Sequence, residues 1–259
     1  MRERFLMYCE EVWSQWLAGE LDFGSFVAAP FETTVAPEPY VRYKSGDDPL
    51  VVLLTNPGGP MKFQQLGYIK RDSARPVNSK MSWAEASVAL GKHYRDELPG
   101  TAGNRIDGMI KIAKGLGREG VLQVDACPVH STRLPMKRKE DVVKAFGTNS
   151  LVGRHAQLVQ EYLRPYPVVA LTAAPTRTGL TAHDRLSEWV AWVAEIAGVD
   201  TENAEFVELV KKDNGKVTSA ALVSEVNGVP KALVRMMGGN HLPATDGLHK
   251  LVEAMSAKA

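Results

Sequence analysis

The run Val51-Val52-Leu53-Leu54 is apolar at every position and stops at Thr55-Asn56-Pro57-Gly58-Gly59-Pro60. A continuous apolar run closed by a Pro/Gly turn predicts a buried strand over 50–55 that delivers Asn56 to a sheet edge. Gly120–Asp125 repeats the form: a strand over 120–125, stopped by Asp125 and then Cys127-Pro128. A third strand is expected at 167–172, ended by Ala173-Ala174-Pro175. Val217–Val226 and Val229–Met237 read as two strands around Asn227-Gly228, the dipeptide that a tight hairpin turn favours. The second of them runs into Gly238-Gly239-Asn240-His241-Leu242-Pro243.

Between these runs the period changes to that of a helix. Phe5, Leu6, Tyr8, Cys9, Val12, Trp13, Trp16 and Leu17 predict a helix over 2–18. Ser82 with Glu85 forms a capping box for a helix reaching Leu98, where Pro99-Gly100 breaks it. Further helices are expected at 103–116, from Asn149 or Ser150 to Leu163, at 182–197, at 203–212 and, capped by Thr245, at 245–257. Residues 19–49 carry prolines and few long apolar runs, so they read as an extended wrap. Helices alternating with strands predict an α/β fold with a mainly parallel central sheet and one antiparallel addition near the C-terminus. One domain is the simplest account.

Composition narrows the class. The 259 residues are 44% hydrophobic and 24% charged with a formal charge of +1, the profile of an ordinary globular chain. Two cysteines, Cys9 and Cys127, show no metal-ligand spacing, so a structural zinc or iron–sulfur cluster is not expected. No signal h-region or membrane-length apolar run stands out and two thiols fit a reducing cytosol, so a cytoplasmic protein without membrane association is expected; a monomer is the expected state. GxGxxG, P-loop and GxSxG patterns are missing, which weakens the common nucleotide-binding and hydrolase readings.

Asn56, Asp125 and His241 each follow an apolar strand and stand within two residues of Pro or Gly. Parallel strands point their carboxyl ends at one face, where open α/β sheets bind ligands. An amide, a carboxylate and an imidazole there are parts for holding a heterocycle and stabilising charge. The long polar segment 61–80 and the basic loop 129–139 leave the same edge.

Leu54-Thr55-Asn56-Pro57-Gly58, Asp125-Ala126-Cys127-Pro128-Val129 and His241-Leu242-Pro243-Ala244 stand in the order of three motifs of the uracil-DNA glycosylase superfamily, and the chain resembles that family over residues 38–257. The resemblance implies a three-layer α/β/α sandwich spanning 1–259 as one domain, with 1–37 as N-terminal helix and wrap. It implies a DNA partner, no cofactor and no metal, and hydrolysis of the N-glycosidic bond of a flipped nucleotide to leave an abasic site. Asn56 would position the water. His241, or Asn240 in its place, would stabilise charge on the departing base. Tyr68, or alternatively Phe63, would stack on that base. Leu242 would fill the vacated stack or simply pack. Lys62, Arg133, Lys137 and Arg138 would meet phosphates.

Two departures from the family pattern carry the substrate expectation. Where the family has an Asn that reads uracil, this chain has Asp125. A carboxylate accepts from a cytosine amine, and in its neutral form donates to the ring nitrogen; uracil presents the opposite pattern. A buried mispair costs about 1–3 kcal/mol. Asp125 can alternatively cap its own turn. Where the classical uracil enzymes wall off the base C5 position with a tyrosine, this chain has Gly58. Together these point to a 5-modified cytosine and to a resemblance with the anti-phage glycosylases that excise glucosylated hydroxymethylcytosine. A uracil or mismatch glycosylase and a non-DNA nucleotide-binding α/β hydrolase are the alternatives.

Overall fold

The computed structural model describes residues 2–22, 37–55, 81–96, 101–128, 143–146, 148–172, 186, 188–236 and 242–259. Their strands form one seven-stranded sheet. In chain order these are β1 (Tyr40–Lys44), β2 (Pro49–Leu54), β3 (Gly120–Asp125), β4 (Val168–Thr172), β5 (Glu205–Lys211), β6 (Val217–Val226) and β7 (Val229–Arg235). The spatial order is β1-β3-β2-β4-β7-β6-β5. The centre, β3-β2-β4-β7, is parallel. β1 flanks it antiparallel on one side, and β6 and β5 flank it on the other. Every residue of β2, β3 and β4 is buried, as expected of parallel strands covered on both faces.

The helices are α1 (Arg2–Ala18), α2 (Trp83–Asp96), α3 (Thr101–Gly115), α4 (Leu151–Leu163), α5 (Glu188–Ala197) and α6 (Thr245–Ser256). They fall into two groups. α2 lies on β1 and α3; α3 meets β2, β3 and α6; α6 meets β5, β6 and β7. In the other group α1 meets α4 and also reaches α2, α4 meets α5, and α5 lies on β4 and β7. α1 buries Phe5, Tyr8, Cys9, Val12, Trp13 and Trp16, the stripe its period announced. The Ser82–Glu85 capping box forms: Ser82 N donates to Glu85 Oε2 at 2.9 Å, and Glu85 N donates to Ser82 Oγ at 3.2 Å. Glu10 of α1 accepts from Trp83 N at 2.7 Å and Ala84 N at 2.9 Å, which ties the start of α2 to α1. Ser150 caps α4 by accepting from Gly153 N. No helix among the described residues is long and apolar enough to cross a membrane.

Three expectations are corrected. Residues 203–212 are not a helix but the edge strand β5. Phe206, Val207 and Val210 favour extended backbone, and the edge position leaves Glu205, Glu208 and Lys211 in solvent. The wrap at 19–49 contains β1, a strand whose short, half-charged sequence hides it. The cap of α6 is Ala244, without a side-chain bond, and Thr245 is already helical; Asp246 supplies negative charge in that first turn instead. The hairpin is as expected, with Asn227 at φ 56° and Gly228 at φ 73°. Of the helix expected at 182–197, Glu188–Ala197 is described.

The strand order positions the site. From β2 the chain moves outward to β3, then crosses back past β2 to β4, so the order reverses beside β2. Ligands of such sheets sit outside the carboxyl ends at that reversal. Leu54 is level with Asp125. The ladder continues beyond the strands, with Ala126 N to Leu54 O at 2.8 Å, Cys127 N to Thr55 O at 3.0 Å and Met236 N to Thr172 O at 3.0 Å. Thr55, Cys127, Thr172 and Met236 therefore share one edge. At the opposite edge, buried Lys231 donates to the carbonyls of Leu163 (2.7 Å), Arg164 (3.2 Å) and Tyr166 (2.6 Å), closing the end of α4. Burial pulls its ammonium down to about 8.

Candidate functional site at the carboxyl edge

Asp125 ends β3 and is fully buried, at 0% exposure. Residues i and i+2 of a strand share a face, and Gln123 uses this placement: its Nε2 donates to Asp125 Oδ2 at 3.1 Å. The Gln123 Oε1 accepts from the Tyr43 hydroxyl of β1 at 2.7 Å. The Arg105 guanidinium of α3 acts electrostatically on the same phenol. Beside it, the Tyr94 hydroxyl of α2 donates to Glu38 Oε1 at 2.9 Å, and the Tyr43 and Tyr94 rings meet edge-on at 6.5 Å. Glu38 is itself 1% exposed, and its N–H donates to Pro128 O at 2.8 Å. Two carboxylates, two phenols, an amide and a guanidinium thus meet where β1 and β3 reach the site edge.

Burial is the main cause that pushes the Tyr43 phenol well above its ordinary range, and the Asp125 and Glu38 charges add to it against Arg105. Burial likewise raises Tyr94, with Glu38, Tyr43 and Asp125 adding. Both phenols therefore stay protonated and act as donors. Behind the strand, His155 of α4 holds the Asp125 main chain, with Nε2 to Asp125 O at 2.7 Å. Burial drives His155 down to about 4 against that bond, so the ring is neutral. Since a carbonyl only accepts, Nε2 carries the proton and Nδ1 the lone pair. Nδ1 has no hydrogen-bond partner among the described residues; Phe5 and Tyr8 flank the ring at 6.1 and 5.8 Å between centroids.

Of the residues the sequence singled out, Asp125 and Leu242 are described. Asn56, Gly58, Lys62, Phe63, Tyr68, Arg133, Lys137, Arg138, Asn240 and His241 lie outside the described residues. Leu242 is half-buried against the core. A Cβ built on Gly108 of α3 would come within 2.8 Å of its Cδ1, so its contacts are those of a packing side chain.

Glu38, Tyr43, Tyr94, Arg105, Gln123 and His155 escaped the sequence reading. Gln123 carried a usable signal, a polar residue inside an apolar run and on Asp125's face. Tyr43 depends on β1, and His155 sits on an apolar helix face among Val152, Ala156 and Val159. A separate groove of ≈ 400 Å³ runs between α1 and α4, lined by Tyr8, Glu11, Glu20, Asp22, Ser150 and Arg154 among others. No strand residue lines it, and its acids repel phosphate. Comparison with protein-family models, curated proteins and solved structures finds no match to this chain.

Proposed function

We propose that the protein is a DNA N-glycosylase that hydrolyses the glycosidic bond of a flipped, 5-modified cytosine, glucosylated hydroxymethylcytosine in phage DNA being the substrate that fits best. The observation that carries this reading is Asp125: a buried carboxylate at the carboxyl end of a parallel strand, beside the reversal of strand order, held by a side-chain amide. A carboxyl at that point offers a cytosine edge an acceptor for its amine and, once protonated, a donor for its ring nitrogen. The shared edge of Thr55, Cys127, Thr172 and Met236 supports a common site for the motifs that follow. Right-handed crossovers set the β2–β3 and β3–β4 connections on opposite faces. That agrees with the two helix groups and supports a three-layer α/β/α sandwich.

In this mechanism Asn56 orients water toward the anomeric carbon as the glycosidic bond lengthens. Asp125 contacts the cytosine edge and, when neutral, donates a hydrogen bond that eases departure of the base. His241 stabilises charge on the base oxygen. Gly58 leaves room for the C5 substituent, and Tyr68 or Phe63 stacks on the ring. Lys62, Arg133, Lys137 and Arg138 meet phosphates, so DNA affinity falls as salt rises. The reaction takes place in the cytoplasm and needs no cofactor.

The test is a panel of duplexes carrying uracil, a thymine mismatch, cytosine, hydroxymethylcytosine or its glucosylated form, scored for abasic sites. Release of a modified cytosine with little uracil release is the expected result. No abasic site on any duplex removes the reading, and exclusive uracil release reassigns Asp125.

A further inference from the structure

The hydrogen bonds that reach Asp125 have a direction. An ionised carboxylate has only acceptors. The Tyr43 hydroxyl donates at 2.7 Å to Gln123 Oε1, which as a carbonyl oxygen can only accept. That fixes the Gln123 amide with Nε2 toward Asp125 Oδ2, at 3.1 Å. Reversing the amide would place two acceptors against each other at Asp125. It would also leave the Tyr43 proton to find another acceptor inside a buried cluster.

We infer that Tyr43 and Gln123 form a one-way relay that positions the Asp125 carboxylate, holds Oδ2 as an acceptor and sends any proton this carboxyl takes up to Oδ1. A proton on Oδ2 would need the reversed amide. The relay therefore chooses which oxygen donates to a ligand. Among the described residues, Arg105 from α3, Glu38 before β1, Tyr94 from α2 and His155 from α4 are the charged or titratable groups that face the cluster. None of them interrupts the relay: Tyr94 donates to Glu38, and His155 contacts the Asp125 main chain. The functional consequence rests on the proposed base-reading role of Asp125 and deepens it. Tyr43 and Gln123 are positioning residues, and the specificity lies in the orientation they impose.

The experiment is a carboxyl-carbon NMR titration of Asp125 in the full-length protein, in Tyr43→Phe and in Gln123→Leu, with base release measured across pH on the same samples. Tyr43→Phe removes one hydroxyl and keeps the ring against Tyr94, so it decides alone if Gln123→Leu does not fold. Gln123→Leu removes the donor at Oδ2 and raises the Asp125 midpoint by about half to one pH unit; Tyr43→Phe frees the amide to reverse and raises it in the same direction by less. The acidic limb of base release moves with it. An unchanged or lowered midpoint in both variants overturns the relay. A raised midpoint with no base release from any substrate leaves the relay standing and removes the glycosylase reading. An unchanged midpoint with active release removes the relay alone.

Discussion

The two edges of the parallel sheet each bury an ionisable side chain, and they treat it differently. At the amino edge Lys231 spends its three N–H donors on three backbone carbonyls at the end of α4. Main chain surrounds it, and its work is to finish a helix. At the carboxyl edge Asp125 is approached by side chains: Gln123 on its carboxylate, with Tyr43 behind. A buried charge satisfied by backbone is mortar. One oriented by a chain of side chains from β1 and β3 is aimed. Under the proposed function, Lys231 is buried in the service of the fold and Asp125 in the service of the site.

The comparison breaks most sharply at Asp125. Asp125→Asn should lower release of modified cytosine about 1,000-fold, the scale of a lost acid–base group, and raise relative release of uracil; abasic-site yield on paired duplexes measures both. Equal loss on every base would make Asp125 structural, like Lys231.

Next comes His155, which braces Asp125 from behind. Its folded value of about 4 lies below the unfolded 6.5. The unfolded chain then binds more protons between these values. Stability contributed by the neutral ring is complete above pH 6.5 and is lost as pH falls toward 4, by about 3 kcal/mol in total. Denaturant unfolding at pH 4.5 and 7 should show this loss in the native chain and a flatter dependence in His155→Leu.

Lys231→Met should cost about 2 kcal/mol by stranding buried carbonyls, seen as a lower denaturant midpoint, while base release per folded molecule stays unchanged. A drop in that activity would mean the two edges are coupled. The smallest effect belongs to Ser82→Ala, at about 1 kcal/mol. Glu10 still holds Trp83 N and Ala84 N, so the start of α2 is not left bare.

Burial was legible in the sequence where it leaves a period or a run. β2, β3, β4, the Asn227-Gly228 turn and the α1 stripe all came through. β5 did not, because an edge strand shows solvent half its residues and then resembles a short amphipathic helix. β1 did not, because Tyr40–Lys44 gains its meaning only from pairing with β3. The site was legible to the extent that one residue type at one strand end makes a claim. Asp125 stood out as a carboxyl stopping an apolar run. Its support did not, because Tyr43 and Gln123 lie 80 positions apart in the chain, and periodicity reports which residues are inside, never which of them touch.

The flanking strands have a consequence for self-association. An open sheet ends in two rows of unpaired backbone groups, and such rows recruit other strands. Here both terminal strands are irregular. β1 slips register between Arg42 and Lys44. β5 slips twice between Glu208 and Lys211, with Glu205, Glu208 and Lys211 in solvent. A second copy docking on β5 would meet a broken ladder and a row of charge, while α2 packs against β1 with Gly91 close to the Arg42 carbonyl. The protein is thereby defended against growing its sheet into a fibre while its buried centre stays apolar.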